Sequence, residues 1–118
     1  MKREHFIKVA EEELDSLPEE FRNRIGNVAV LVEDFPPHQR SPRSGQQGRL
    51  LLGLFHGVPT TKKSVFDRPT EPDYIVLYQK NIEAICSTEA EVREQIRLTV
   101  MHELGHYFGM DENQLKDV

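Results

Sequence analysis

Residues 102–112 read H-E-L-G-H-Y-F-G-M-D-E. Two histidines four positions apart share one face of a helix, so the imidazoles of His102 and His106 can converge on a single ion at about 2.0–2.1 Å per Zn–N bond. Glu103 stands between them, turned by about 100° around the helix axis. That angle suits it poorly as a ligand and well as a base acting on a metal-bound water. H-E-x-x-H on a helix is the spacing of zinc-dependent hydrolysis. A catalytic zinc takes three protein ligands and a water, so two histidines leave the set one short. Gly109 can adopt a left-handed backbone, end the helix and reverse the chain at no steric cost. The reversal brings Glu112 or Asp111 back toward the ion.

A helix long enough to hold the two histidines in register is legible upstream of them. Thr88 and Glu91 form a T-x-x-E capping box, and neither proline nor glycine interrupts the chain between them and Gly105. At about 100° per residue, Gln95, Thr99 and His106 fall within roughly 60° of His102. Val92, Ile96, Val100, Leu104 and Tyr107 gather on an adjoining sector. One helix thus carries an apolar packing stripe with a ligand stripe beside it. Gly105 costs about 1 kcal/mol of helix propensity relative to alanine, which points to close packing there.

The elements that pack against this helix are read from the remaining periodicities. Phe6, Ile7, Val9, Ala10 and Leu14 are spaced for a helix over residues 3–16, and Pro18 starts a second, ending at Ile25 before Gly26. Glu11, Glu12, Glu13, Glu19 and Glu20 read as the solvated face of these two helices. Strands are expected at residues 28–32 (V-A-V-L-V), 50–55 (L-L-L-G-L-F) and 74–78 (Y-I-V-L-Y), the first apolar on both faces as in a covered strand. Gly53 inside the second signals a bulge or a close backbone approach. The two connections between strands are rich in proline, glycine and polar residues. The first carries His38, Arg40, Arg43 and Arg49, the basic tip of a surface loop.

Composition narrows the function classes. At 118 residues the chain is expected to be a single domain, residues 1–118, with a modest core. Fifteen basic residues against 20 acidic ones give a net charge of −5, which argues against nucleic acid as the main partner. Cys86 is the single cysteine, so neither an intramolecular disulfide nor a cysteine zinc knuckle is possible; it reads as a small core residue. Without a signal-peptide pattern or an apolar run of 18 residues, a cytoplasmic protein with no membrane segment is expected.

Three segments in order, L-G-L-F-H-G-V-P-T-T, P-D-Y-I-V-L-Y-Q-K-N-I-E and V-M-H-E-L-G-H-Y-F-G-M-D-E, together resemble the small bacterial proteins of the minimal zincin-like metallopeptidase family. The resemblance implies an α+β zincin-like fold: a small, about three-stranded sheet packed against the H-E-x-x-H helix and the N-terminal helices. It implies Zn2+ held by His102, His106 and Glu112, with Glu103 as catalytic base. It further implies a peptide or protein substrate, cleaved by Glu-assisted attack of a zinc-bound water. Two departures stand out. Metzincins place a Met-turn well downstream, so Met110 does not inherit that role, and no second helix follows to supply the glutamate that gluzincins use.

Two competing readings remain at the level of sequence. H-x-x-x-H-x-x-G-x-D also resembles the metal site of small bacterial endoribonucleases of ribosomal RNA processing, in which three histidines bind the metal. Glu112 stands where the third histidine would, Glu103 stands where those proteins carry glycine, and the net charge is acidic; all three disfavour RNA. The other reading is a non-catalytic, zinc-stabilised interaction module, which needs a fourth protein ligand such as Asp111, Asp73 or His56. For an oxyanion the sequence offers Tyr107, Tyr74, Tyr78 and His56.

Overall fold

The structure is a computed structural model that describes residues 1–25, 28–39, 50–57 and 73–107. Its sheet is built on the apolar run Y-I-V-L-Y, which forms the central strand. In chain order the elements are α1 (Arg3–Asp15), α2 (Glu19–Ile25), β1 (Ala29–Glu33), β2 (Gly53–His56), β3 (Tyr74–Tyr78), α3 (Gln79–Ala84) and α4 (Glu89–Tyr107). The strand order is β1-β3-β2. β1 runs parallel to β3 with Leu31 opposite Val76, and β2 runs antiparallel to β3 with Leu54 opposite the same residue. Among the described residues this is the small α+β arrangement expected, a three-stranded mixed sheet with four helices.

The core lies between the sheet and the helices. Phe6 and Val9 of α1, Phe21 of α2, Ile75 and Leu77 of β3, Ile82 of α3 and Ile96 of α4 are all buried in one cluster. Each such side chain removed from water stabilises the fold by about 1.5–3 kcal/mol before entropy is set against it. The apolar sector expected on α4 is the buried one: Val92, Ile96, Val100 and Leu104 all belong to that cluster. Gly105 is buried as well. α4 packs on α1, β2 and α3, which fixes the azimuth of the helix and hence of its other stripe.

Three expectations need correction. β1 is not covered on both faces: it lies at a sheet edge, its exposure alternates, and Leu31 is 46% exposed while Val30 and Val32 pack on the core. The six-residue helix α3 follows β3 without a break, where the sequence shows only an apolar run before α4. Tyr78, at its N-cap, makes no capping side-chain bond, so no start signal marks it. Of the acidic residues on α1, Glu12 and Glu13 are not merely solvated; they pair with Arg93 of α4 at 3.2 and 3.7 Å. Such exposed pairs add little stability. Cys86 is partly buried against the core, as expected of a small apolar residue, and burial raises its thiol pKa.

Candidate functional site

The capping box that predicts the start of α4 forms in full. Thr88 Oγ1 accepts from the Glu91 N–H at 3.1 Å, and the Glu91 carboxylate accepts from the N–H groups of Thr88 at 3.0 Å and Ser87 at 2.6 Å. Two N–H groups that a helix start leaves without intrahelical partners, those of Thr88 and Glu91, are thereby satisfied, together with that of Ser87 just before the cap. Further along, the same helix carries M-H-E-L-G-H-Y. His102 and His106 both project to the exposed side, with ring centroids 4.2 Å apart and planes inclined at 60°. Met101 and Leu104, on either side of the His102–Glu103 pair in sequence, are buried and anchor this turn to the core.

Glu103 lies between the two imidazoles in sequence but deeper in the molecule, half-buried. Burial pushes its carboxyl pKa above the usual carboxylate range, while His106, His102 and a backbone hydrogen bond from Phe55 pull the other way without cancelling the rise. The Phe55 bond has a structural origin in the sheet. Tyr78 N–H donates to Leu52 C=O at 2.9 Å, making Leu52 and Tyr78 a hydrogen-bonded pair of the antiparallel ladder. Hydrogen-bonded and non-bonded pairs alternate along such a ladder, so Gly53 and Phe55 turn their backbone groups away from β3. The Phe55 N–H therefore leaves the sheet at its β2 edge, on the side where it meets Glu103.

Gly53 allows β2 to come this close. A Cβ built there would lie 2.9 Å from Thr99 Cγ2, 3.0 Å from Val76 O and 3.1 Å from Leu77 Cδ2, so a side chain has no room. The close approach read from Gly53 is present, and its regular pairing with Leu77 shows no bulge. Between β2 and α4 a cleft of about 450 Å³ opens, lined by Leu50, Leu51, Leu52, Gly53, Gln95, Leu98, Thr99, His102 and Glu103. Gln95 and Thr99, placed on the ligand stripe by helical angle, thus face the same space as His102, and Gln95 Nε2 donates to Thr99 Oγ1 at 3.3 Å. The Phe55 N–H is not legible as a site component in the sequence, whereas the run 50–55 is legible as an exposed sheet edge that can hold an extended peptide. A backbone donor leaves no mark in the residue type.

His56, Tyr74 and Tyr78, candidates for other roles, are not part of the cleft wall. His56 stacks on Tyr74, centroids 4.8 Å apart and planes at 22°. Tyr78 is buried, and burial followed by the negative charges around it raises its pKa, Glu33 first and Glu103 among them. Gly109, Met110, Asp111 and Glu112 lie outside the described residues, as do Arg40, Arg43 and Arg49. Among the described residues no three of His, Cys, Asp or Glu converge on a point, so the third ligand expected at Glu112 is not placed. The two imidazoles suit zinc chemically: neighbouring nitrogen ligands four residues apart on a helix, with a half-buried carboxylate beside them. Among the described residues, no helix is long and apolar enough to cross a membrane.

Comparison with known proteins agrees with this geometry at the level of fold and family. No curated protein matches the sequence. A conserved hypothetical protein of T. thermophilus has a similar structure, with a TM-score of 0.58 and 22% identity over 92% of this chain and 94% of that one. At that identity the likeness speaks for the fold alone. The family model described as zincin-like metallopeptidase matches residues 25–118, most of the chain and all of the sheet, α3 and α4. The chain accordingly belongs to the zincin-like metallopeptidase family.

Proposed function

We propose that this protein is a zinc-dependent peptidase in which His102, His106 and Glu112 hold the ion and Glu103 is the catalytic base. The observation that carries the reading is the environment of Glu103: a desolvated carboxylate one residue from His102 and three from His106, at the wall of a cleft, held by a backbone N–H from the edge strand. Zinc, when bound, supplies Lewis acidity that polarises a carbonyl and lowers the pKa of water toward about 7. The chain's own part is to move the proton. A carboxyl whose pKa has been raised by burial is a better proton acceptor than an exposed one, and can return the proton to the leaving amine. The Phe55 N–H fixes which way that carboxylate points.

Substrate binding follows from the same edge. The backbone groups of β2 that turn away from β3 suit an extended peptide, which gains main-chain hydrogen bonds by lying alongside. The apolar wall of Leu50, Leu51, Leu52 and Leu98 beside the reacting position suits an aliphatic side chain of that peptide. A peptide or protein, rather than RNA, is also what the net charge of −5 favours.

The experiment is hydrolysis of an unstructured protein by the zinc-loaded chain, set against His102→Ala and His106→Ala, with structured RNA as the parallel substrate. Cleavage of the protein that disappears in both variants together with zinc supports the proposal. RNA cleavage without peptide cleavage, or peptide cleavage that survives both substitutions, overturns it.

A further inference from the structure

The leucine wall of the cleft extends past the point where the sheet can hold it. The Tyr78 N–H to Leu52 C=O bond joins the last residue of β3 to the wall, and immediately after Tyr78 the chain enters α3. Leu50 and Leu51 therefore have no β3 residue beside them, yet both line the cleft. What lies beside them is Asn81, the third residue of α3 and 0% exposed. Its Nδ2 donates to Leu51 C=O at 2.9 Å and to Gln39 Oε1 at 3.2 Å, and its Oδ1 accepts from Gln39 Nε2 at 2.8 Å. Both donors and the acceptor of one buried amide are in use.

Gln39 is brought there by a turn with its own constraint. Gln39 N–H bonds Pro36 C=O at 3.1 Å, and the intervening His38 has φ 70°, the left-handed region that a non-glycine residue enters only when its surroundings require it. One side chain thus grips the chain shortly after β1, at Gln39, and again just before β2, at Leu51. Neither contact belongs to the sheet, the core cluster or the H-E-x-x-H turn.

We infer that Asn81 is a positioning residue for the cleft: through Leu51 C=O its amide ties the chain just before β2 to α3, beyond the end of the β2–β3 ladder, and sets the distance of the leucine wall from His102 and Glu103. The consequence for substrate rests on the peptidase reading; the positioning of the wall does not. A buried amide donor replaced by a group that cannot donate leaves Leu51 C=O without this partner, and the local opening free energy falls accordingly.

Asn81→Asp tests this with almost no change in volume, since the carboxylate keeps the acceptor toward Gln39 Nε2 and removes both donors. Amide hydrogen exchange and peptide hydrolysis are measured on the full chain, wild type and variant, with Gln39→Ala as a second variant that removes the side chain orienting the Asn81 amide and touches no residue of the core cluster. In Asn81→Asp the Tyr78 amide, bonded to Leu52 next to the clamp, is expected to exchange about tenfold faster, with Val9 and Ile96 unchanged. For Gln39→Ala the expected acceleration is about threefold. KM for a peptide should rise about fivefold in Asn81→Asp at unchanged zinc content while kcat changes little, because the wall meets substrate and not the reacting atoms. Tyr78 exchange that is unchanged in both variants, or that rises only in step with Val9 and Ile96, overturns the inference and leaves Asn81 a residue of general stability. If Asn81→Asp does not fold, Gln39→Ala decides by the same comparison. If the wild type cleaves no peptide, the peptidase reading fails and the exchange result still decides on Asn81.

Discussion

Substituting Gly53 by alanine tests whether the close approach of β2 to α4 builds the site. The added methyl would meet Thr99 Cγ2 at 2.9 Å, Leu77 Cδ2 at 3.1 Å and, least able to yield, the Val76 carbonyl oxygen at 3.0 Å. Side chains can rotate away; a backbone carbonyl inside the central strand cannot without moving the strand. Overpacking of this kind costs about 1–3 kcal/mol. Against it stands the lower entropy of the unfolded chain with alanine, which offsets about 0.4–1 kcal/mol. The net expectation is a loss of about 1–2 kcal/mol, or a fall of roughly 4–10 °C in Tm for a domain of this size. Thr99→Ser removes the nearest methyl, so the double variant Gly53→Ala/Thr99→Ser should recover part of the loss, with the remainder due to the carbonyl. Differential scanning calorimetry and urea unfolding measure both. Because β2 must move away from α4 to admit the methyl, the Phe55 N–H should also leave Glu103, and any hydrolytic activity should fall further than stability does. A Gly53→Ala protein as stable as the wild type would refute the claim that contact requires glycine here.

Other expectations follow from single features. Thr88→Ala removes one half of the capping box of α4 and should cost about 1 kcal/mol by urea unfolding, whereas Thr88→Ser should cost much less; equal losses would show that the hydroxyl is not the capping group. Glu103 has a raised folded-state pKa, so its contribution to the stability of the metal-free protein is present at low pH and is lost as pH rises through that pKa, where a half-buried charge must be kept. Metal-free Glu103→Gln should therefore be more stable than wild type near pH 7, and the gap should close as pH falls toward about 4. A gap that is constant with pH, or of the opposite sign, would mean that Glu103 is not penalised by burial.

Much of this architecture can be read from residue order, and the parts that cannot share a cause. The start of α4, its buried sector and its ligand stripe follow from T-x-x-E and from 3.6-residue spacing, both local properties of one helix. The limits of β3 coincide with Y-I-V-L-Y because that run is apolar on both faces and central in the sheet. β2 is different. L-L-L-G-L-F reads as six strand residues, but pairing needs a partner, and β3 ends at Tyr78, opposite Leu52. Where the partner strand stops is a property of another segment, and the surplus leucines become cleft wall. α3 escapes the sequence for a similar reason: it begins directly from a strand, with no proline, glycine or capping side chain. β1 reads as covered because its residues are apolar, whereas its edge position leaves Leu31 half exposed. At the site, the side chains that could carry chemistry are legible by type and spacing, but the Phe55 backbone donor and the Asn81 clamp appear only once tertiary structure brings them together.

The proposed chemistry depends most directly on Glu103. Glu103→Gln is prepared with stoichiometric zinc verified by metal analysis, and its hydrolysis of an unstructured protein is compared with that of the zinc-loaded wild type. The expected result is full zinc content with cleavage reduced to the background of the metal-free chain, because the amide keeps the shape and the Phe55 contact but accepts no proton. Cleavage by Glu103→Gln at the wild-type rate and equal zinc content would contradict the assignment of Glu103 as the base and, with it, the proposed mechanism.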